Sequence, residues 1–287
     1  MRWRRGAGSG NVEDRRGRPG GRAALPVGGG IIGIIVTLAI VLLGGGGYDV
    51  ETPFEQFPSQ QRAGEDSAVM QSAPDAEAEL VDFVGFVVGD LESFWQADFA
   101  AAGREFAPAR PVVFEDRVNT GCGAATSQTG PFYCPADQGI YVDLEFFGVL
   151  ARRLNAPGDF AQAYVLAHEY GHHVQTITRV TQQVDTATRE NPEQRNALSV
   201  RVELQADCLA GVWAHSTFER GLLEEGDLEE GLTAAAAVGD DRIQAAATGQ
   251  INPETFTHGT AEQRASWFKR GFEDGDATAC DTFSQDI

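Results

Sequence analysis

The stretch Ala167-His168-Glu169-Tyr170-Gly171-His172-His173 contains the pattern H-E-x-x-H. The residues leading into it, Phe160-Ala161-Gln162-Ala163-Tyr164-Val165-Leu166, include neither Pro nor Gly and suit a helix that carries the motif into a core. On a helix, residues four apart share a face, so His168 and His172 can present two imidazole nitrogens to one metal ion. Zinc (Zn2+) suits that arrangement. It accepts neutral imidazole in a tetrahedral shell and, in catalytic centres, leaves one position for water. Glu169, next to the first ligand, would face that water as general base. Three fixed positions in five recur by chance in about one chain in a few tens, so the reading turns on a third ligand.

One large group of zinc peptidases places a His six residues after the second ligand, with a Gly between them. Here those positions are Thr178 and Gln175, which excludes that group. The other common solution is a Glu from a later helix, and Val202-Glu203-Leu204-Gln205-Ala206-Asp207 offers one. Glu203 and Asp207 are four apart and share a face. With Glu203 as ligand, Asp207 is placed to hydrogen-bond the outer nitrogen of a ligating His, fixing its tautomer. The alternative is a solvated acidic pair. Against it, Leu204, Ala206, Leu209, Ala210, Val212 and Trp213 describe a mostly buried helix, where unpaired carboxylates are costly.

The run His168-Glu169-Tyr170-Gly171-His172-His173-Val174-Gln175, followed by Glu203-Leu204-Gln205-Ala206-Asp207-Cys208-Leu209-Ala210-Gly211, resembles the bacterial neutral zinc metallopeptidases. These belong to the gluzincin group, in which two His and one Glu hold zinc. The resemblance implies His168, His172 and Glu203 as ligands, Glu169 as base and Asp207 as the outer support. The Glu203-x-x-Ala206-Asp207 element is also similar to that of the CAAX prenyl endopeptidases, and so is the spacing of His258 and Arg264. That similarity implies His258 as a donor to the oxyanion, with Arg264 as further transition-state support. The other reading of Thr257 to Arg264 is a helix start, capped by Thr257 or Thr260, with Arg264 packing on the body.

The chain has 287 residues, 42% of them apolar, enough for one domain of moderate size with appendages. Its net charge of −20 is unevenly spread, because residues 1–25 hold seven arginines against Glu13 and Asp14. The remaining body is strongly acidic, which argues against nucleic acid as a partner. Residues 26–47 are uncharged, with a strongly apolar core from Ile31 to Leu43, and read as a membrane anchor or a cleaved signal peptide. The long basic leader and the absence of a small-x-small cleavage site favour the anchor. Arginines on the amino side predict a single-pass protein with a cytoplasmic leader, 1–25, and an extracytoplasmic body. Residues 48–75 shift to Gln, Ser, Pro, Glu and Gly and read as a flexible stalk. The domain is then 76–287.

Within the domain, Leu80, Phe83, Val84, Val87, Val88, Leu91, Phe94, Trp95 and Phe99 recur at three and four, an amphipathic helix over 75–102. Val112-Val113-Phe114 suits a short strand. Gly and Pro punctuation over 121–139 followed by Ile140-Tyr141-Val142 predicts a loop feeding a strand. That strand, Tyr141 to Leu144, either offers a free edge to an extended peptide or simply completes the sheet. Gly221 to Gly231 reads as an acidic surface helix or loop, and Ala234 to Gln244 as one helix in which Asp240, Asp241 and Arg242 form a local ion-pair network. His173 and His215 read as structural. The four cysteines allow three connectivities; in an extracytoplasmic body, pairing of nearest neighbours, Cys122 with Cys134 and Cys208 with Cys280, is preferred.

The expected fold is a mainly helical, zincin-like α+β domain with a small sheet, behind one N-terminal transmembrane helix. The expected activity is zinc-dependent hydrolysis of internal bonds in a peptide or protein substrate. A membrane-tethered zinc-binding scaffold without catalysis, and an amidase acting on cell-wall peptides, are the alternatives; a scaffold has no need of Glu169.

Overall fold

The computed structural model describes residues 1–5, 10–17 and 74–287. The predicted anchor at 26–47 lies outside the described residues, as does nearly all of the stalk. Among the described residues no helix is long and apolar enough to cross a membrane.

The architecture is mainly helical α+β. Helix α1, Pro74–Ala101, matches the predicted amphipathic segment. It buries Phe83, Val84, Val87, Val88, Leu91, Trp95 and Phe99, one stripe at helical spacing. Each such side chain contributes roughly 1.5–3 kcal/mol on burial, so the helix is held by its stripe. Gly103, at φ 69°, and the prolines beyond it end the helical path.

A four-stranded sheet follows the order β1-β2-β6-β5, with β1 at Glu13–Asp14, β2 at Arg110–Phe114, β5 at Phe132–Cys134 and β6 at Gly139–Asp143. Strands β1, β2 and β6 run parallel, with Val112 opposite Tyr141, while β5 runs antiparallel to β6 with Phe132 opposite Tyr141. The predicted free edge at Tyr141 to Leu144 is therefore corrected. All five residues of β6 are buried and the strand is paired on both sides; the outer strand is β5. A near-continuous apolar run marks a central strand, and Ile140-Tyr141-Val142 is one. A separate hairpin, β3 (Arg117–Thr120) with β4 (Gly123–Thr126), precedes β5. The bridge Cys122–Cys134 ties its turn to β5.

Helix α2, Glu145–Arg152, leads into α3, Asp159–Ile177, which carries the H-E-x-x-H motif. Helix α4 covers Val180–Glu190 and α5 covers Arg195–Glu219, including Glu203 and Asp207. Next come α6 (Asp227–Ala237), α7 (Asp240–Thr248) and α8 (Ala261–Asp274). The single helix expected from Ala234 to Gln244 is broken at Gly239, where a Cβ would lie 2.3 Å from the Ala261 backbone nitrogen. The chain turns there because α8 begins against it. Helix α8 starts with a reciprocal capping box between Thr260 and Gln263.

Two close approaches position the site. A Cβ on Gly171 would meet the Ala206 backbone at 3.0 Å, so α3 and α5 cross nearly in contact. Helices α5 and α8 touch backbone to backbone, since a Cβ on Gly271 would lie 1.9 Å from the Cys208 carbonyl oxygen and one on Gly211 2.0 Å from that of Phe268. The bridge Cys208–Cys280 closes the same seam, and both disulfides have the nearest-neighbour pairing expected.

Candidate metal centre

The α3–α5 crossing brings His168, His172 and Glu203 together, each with a ligating atom within 4.8 Å of the others, and all three are buried. The Nδ1 of His168 donates to Asp207 Oδ1 at 2.8 Å, and its Nε2 lies 3.2 Å from Glu203 Oε2. On His172, Nδ1 donates to Gln175 Oε1 at 2.8 Å, and Nε2 lies 3.5 Å from Glu203 Oε1. With both Nδ1 atoms held by outer partners, both Nε2 atoms are turned toward Glu203.

Asp207, fully buried, is the hub behind these ligands. Besides His168 it accepts from Tyr164 at 2.5 Å and, in a fork, from Arg264 Nε at 2.8 Å and Nη2 at 2.9 Å. Such a bidentate charged pair is the strong form of the interaction, and here it neutralises two buried charges against each other. Gln175 plays the matching part for His172. Its Nε2 donates to the Val202 carbonyl at 2.7 Å and to Gln205 Oε1 at 3.1 Å, locking the amide whose oxygen holds the imidazole.

These surroundings pull the two imidazoles apart. Burial alone would lower His168, but the Asp207 and Glu203 carboxylates outweigh it and raise the ring to about 9. Burial dominates at His172 and lowers it to about 4. Burial also pushes the Glu169 carboxyl up to about 8, although its neighbour His168 works against this. Burial would raise Glu203 too; His172 and His168 win and hold it well below the usual carboxylate range.

Two buried atoms here have no hydrogen-bond partner, His172 Nε2 and Glu169 Oε2. Unpartnered buried polar atoms are costly, and His172 Nε2 lies 3.5 Å from the Glu203 carboxylate. Two imidazole nitrogens and one carboxylate, with outer nitrogens held by Asp207 and Gln175, form a donor set that fits zinc. The residues present therefore fit the metal that the motif implies.

Pro131, Phe146, Val165 and Val238 wall a narrow recess whose floor includes His168 and Glu169. The backbone nitrogen of Tyr133, in the outer strand β5, faces the Glu169 carboxylate. A larger apolar concavity of about 430 Å³ opens between α4, α5 and the carboxyl-terminal segment, at Val184, Leu198 and Phe283, and contains none of the ligands. The small recess, by contrast, reaches His168 and Glu169.

His258 is buried, and its Nδ1 donates to Asp240 Oδ1 at 2.9 Å. The other Asp240 oxygen accepts from the backbone nitrogens of Thr257 and His258, each at 2.7 Å, and of Gly259 at 3.2 Å. The expected local network of Asp240, Asp241 and Arg242 is thus corrected: Asp240 is the clasp that holds the His258 loop, and Asp241 accepts from the Ala261 nitrogen at 2.7 Å. His258 stands near enough to Glu203 to contribute to lowering its carboxyl. Arg264, 1% exposed, lines the recess together with Tyr164, and its fork is taken up by Asp207. His173 is structural, between Tyr133 and the Ala107 carbonyl, and His215 donates to the Phe272 carbonyl. Sequence reasoning missed Tyr164, Gln175 and Asp240. Tyr164 had a local signal, since it lies one turn before His168 on the same face.

The chain is 43% identical to the Escherichia coli (strain K12) "Uncharacterized protein YpfJ" over 296 residues, covering the whole of both chains. It is 48% identical to "Uncharacterized protein Rv2575" of Mycobacterium tuberculosis (strain H37Rv) over 183 residues, 60% of this chain and 61% of that one. No solved structure matches it. The family described as "Putative neutral zinc metallopeptidase" matches residues 1–283, nearly the full length, and the chain belongs to that family.

Proposed function

We propose that this chain hydrolyses internal peptide bonds in extended segments of peptide or protein, with His168, His172 and Glu203 holding zinc. The observation that carries the reading is the pair of buried, unpartnered atoms, His172 Nε2 and Glu169 Oε2, beside the Glu203 carboxylate. Bound there, zinc would supply Lewis acidity toward a carbonyl oxygen and a water. Glu169 is the general base. As a carboxylate Glu169 takes a proton from water, and burial, which pushes its carboxyl up, helps it hold that proton until it passes to a leaving amine. Asp207 and Gln175 hold the imidazole tautomers, so the ligands need no rearrangement.

The outer strand β5 supports binding of the substrate as a further strand, with its backbone as the recognised feature. His258, oriented by Asp240, is the proposed donor to the carbonyl oxygen as it becomes anionic. Arg264 acts by keeping Asp207 ionised and in place. The two disulfides support an oxidising compartment for the domain, and the uncharged stretch 26–47 supports membrane attachment.

The test is zinc content and cleavage of an unfolded protein such as casein by the full chain and by Glu169→Gln. The expected result is about one zinc in each and cleavage by the unmodified chain only. Zinc in both with cleavage by neither, across casein and cell-wall peptides, would overturn the reading in favour of zinc binding without catalysis.

A further inference from the structure

The arginine-rich leader is built into the domain. Met1 is 5% exposed and belongs to the main apolar core, and Trp3 packs edge-on against Phe83 of α1 with ring centroids 5.4 Å apart. The Arg2 backbone nitrogen donates to the Leu222 carbonyl at 2.7 Å. Further on, β1 lies parallel to β2, with Glu13 opposite Val112, and the Arg15 nitrogen donates to the Val113 carbonyl at 2.8 Å.

The arginines are engaged with the acidic body. Arg5 lies 3.5 Å from Asp82 and 3.9 Å from Glu79, Arg16 lies 3.3 Å from Glu77, and Arg2 lies 3.7 Å from Glu224. Each exposed pair contributes little by itself. The specificity comes from the apolar anchors and the strand pairing, which fix register as charge alone does not.

We infer that residues 1–17 and 74–287 lie in the same compartment, the leader being a strap on the face of the domain formed by α1 and the β2 edge. A chain that leaves this face after Gly17 and rejoins it at Pro74 starts and finishes on one side of any membrane. A single crossing between the two is excluded, because it would separate Trp3 from Phe83 and β1 from β2. The sequence offers no return span either, since 48–73 contains Asp49, Glu51, Glu55, Arg62, Glu65 and Asp66. The strongly apolar run from Ile31 to Leu43 is also shorter than the roughly 17–25 residues of a spanning helix. Contact of that run with a membrane is made without net passage of the chain. Arg2, Arg5 and Arg16, expected to mark a cytoplasmic leader, instead neutralise acids of the domain surface.

The experiment uses the full chain in bacterial cells, with one added cysteine at an exposed position, Arg4→Cys or Glu193→Cys. The unmodified chain, whose four cysteines are bridged, sets the blank. A membrane-impermeant maleimide is applied to spheroplasts before and after permeabilisation. The two variants are expected to respond alike, both labelled at once or both only after permeabilisation, and labelling of one without the other overturns the proposal. On the purified chain, Trp3→Ala is expected to speed tryptic cleavage after Arg4 and Arg5 at least about tenfold while zinc content stays unchanged. Equal cleavage rates would show that the strap is not docked and would overturn the proposal equally.

Discussion

Two groups of three ligating side chains lie within 4.8 Å of one another among the described residues, and they meet their charge in opposite ways. His168, His172 and Glu203 are buried, and one imidazole nitrogen has no partner in the protein. Asp159, Asp227 and Glu230 lie at the first turns of α3 and α6, two of them half-exposed. There the Met1 ammonium lies 2.8 Å from Asp159 Oδ1 and 3.1 Å from Asp227 Oδ2. The second group already contains its cation. In the first, the nearby cation Arg264 is 3.8 Å from Glu203 but forks onto Asp207. Closeness of donors therefore does not define a metal site; what defines it is an acceptor that the chain itself leaves unanswered.

The largest effect that could break this contrast is on metal binding. Glu203→Ala or His172→Ala should weaken zinc at least about 10³-fold, beyond the 10–100-fold carried by outer partners, as read by competition with a chelator. Asp227→Asn should leave one zinc per chain at unchanged affinity. If Asp227→Asn removed zinc, the two clusters would not differ as described.

Close to this in size, Glu169→Gln should keep zinc and lower peptide hydrolysis about 10²–10⁴-fold, the usual range for a general base. Steady-state turnover beside metal analysis separates the two quantities. Asp207→Asn should weaken zinc about 10–100-fold and cost about 3–5 kcal/mol in chemical denaturation, because Arg264 would remain as an uncompensated buried charge. Adding Arg264→Met should restore part of that stability while the affinity stays low. Recovery of both together would show that Asp207 acts on packing alone.

The smallest effect concerns the His258 clasp. Burial opposes ionisation of Asp240, but its bonds from His258 and Thr257 outweigh this and hold the carboxyl below its ordinary 3.8. A depressed carboxyl stabilises the fold above its unfolded value and loses that contribution as pH falls through the folded one. Asp240→Asn should therefore cost about 1–3 kcal/mol at pH 7, and the gap between the two proteins should narrow as pH falls from about 3.8 toward the lower folded value. A gap that stays constant as pH falls through this range would mean that the carboxylate charge is not what holds the loop.

The parts of the site that repeat locally were legible in the sequence. His168, Glu169 and His172 lie within one helical turn and a residue, and Glu203 with Asp207 repeats the same four-residue step on a helix of apolar neighbours. The apolar stripe of α1 follows the same logic, as does the bridge Cys122–Cys134, whose cysteines are 12 residues apart. What was not legible depends on contacts distant in sequence. Asp240 reads as a surface acid until the loop at Thr257 to Gly259 folds over it, and Gln175 reads as the absence of a glycine until Val202 and Gln205 arrive beside it. Strand order inverted the expected edge, since Tyr141 looks the same in a central strand as in an outer one. The contacts of the leader were hidden for an electrostatic reason: arginines beside an apolar run suggest topology, and nothing local reveals that acids of α1 and of the loop before α6 face them.

The glycine contacts between α5 and α8 also govern how the recess can move. With no side chain between the two backbones at Gly211 and Gly271, and a disulfide across the same seam, neither helix can slide or roll without a collision of main chains. Glu203, Asp207 and Arg264 therefore ride on a rigid plate. Any widening of the recess falls to the opposite wall, where Pro131 and the short strand β5 hang between a hairpin and a single paired neighbour.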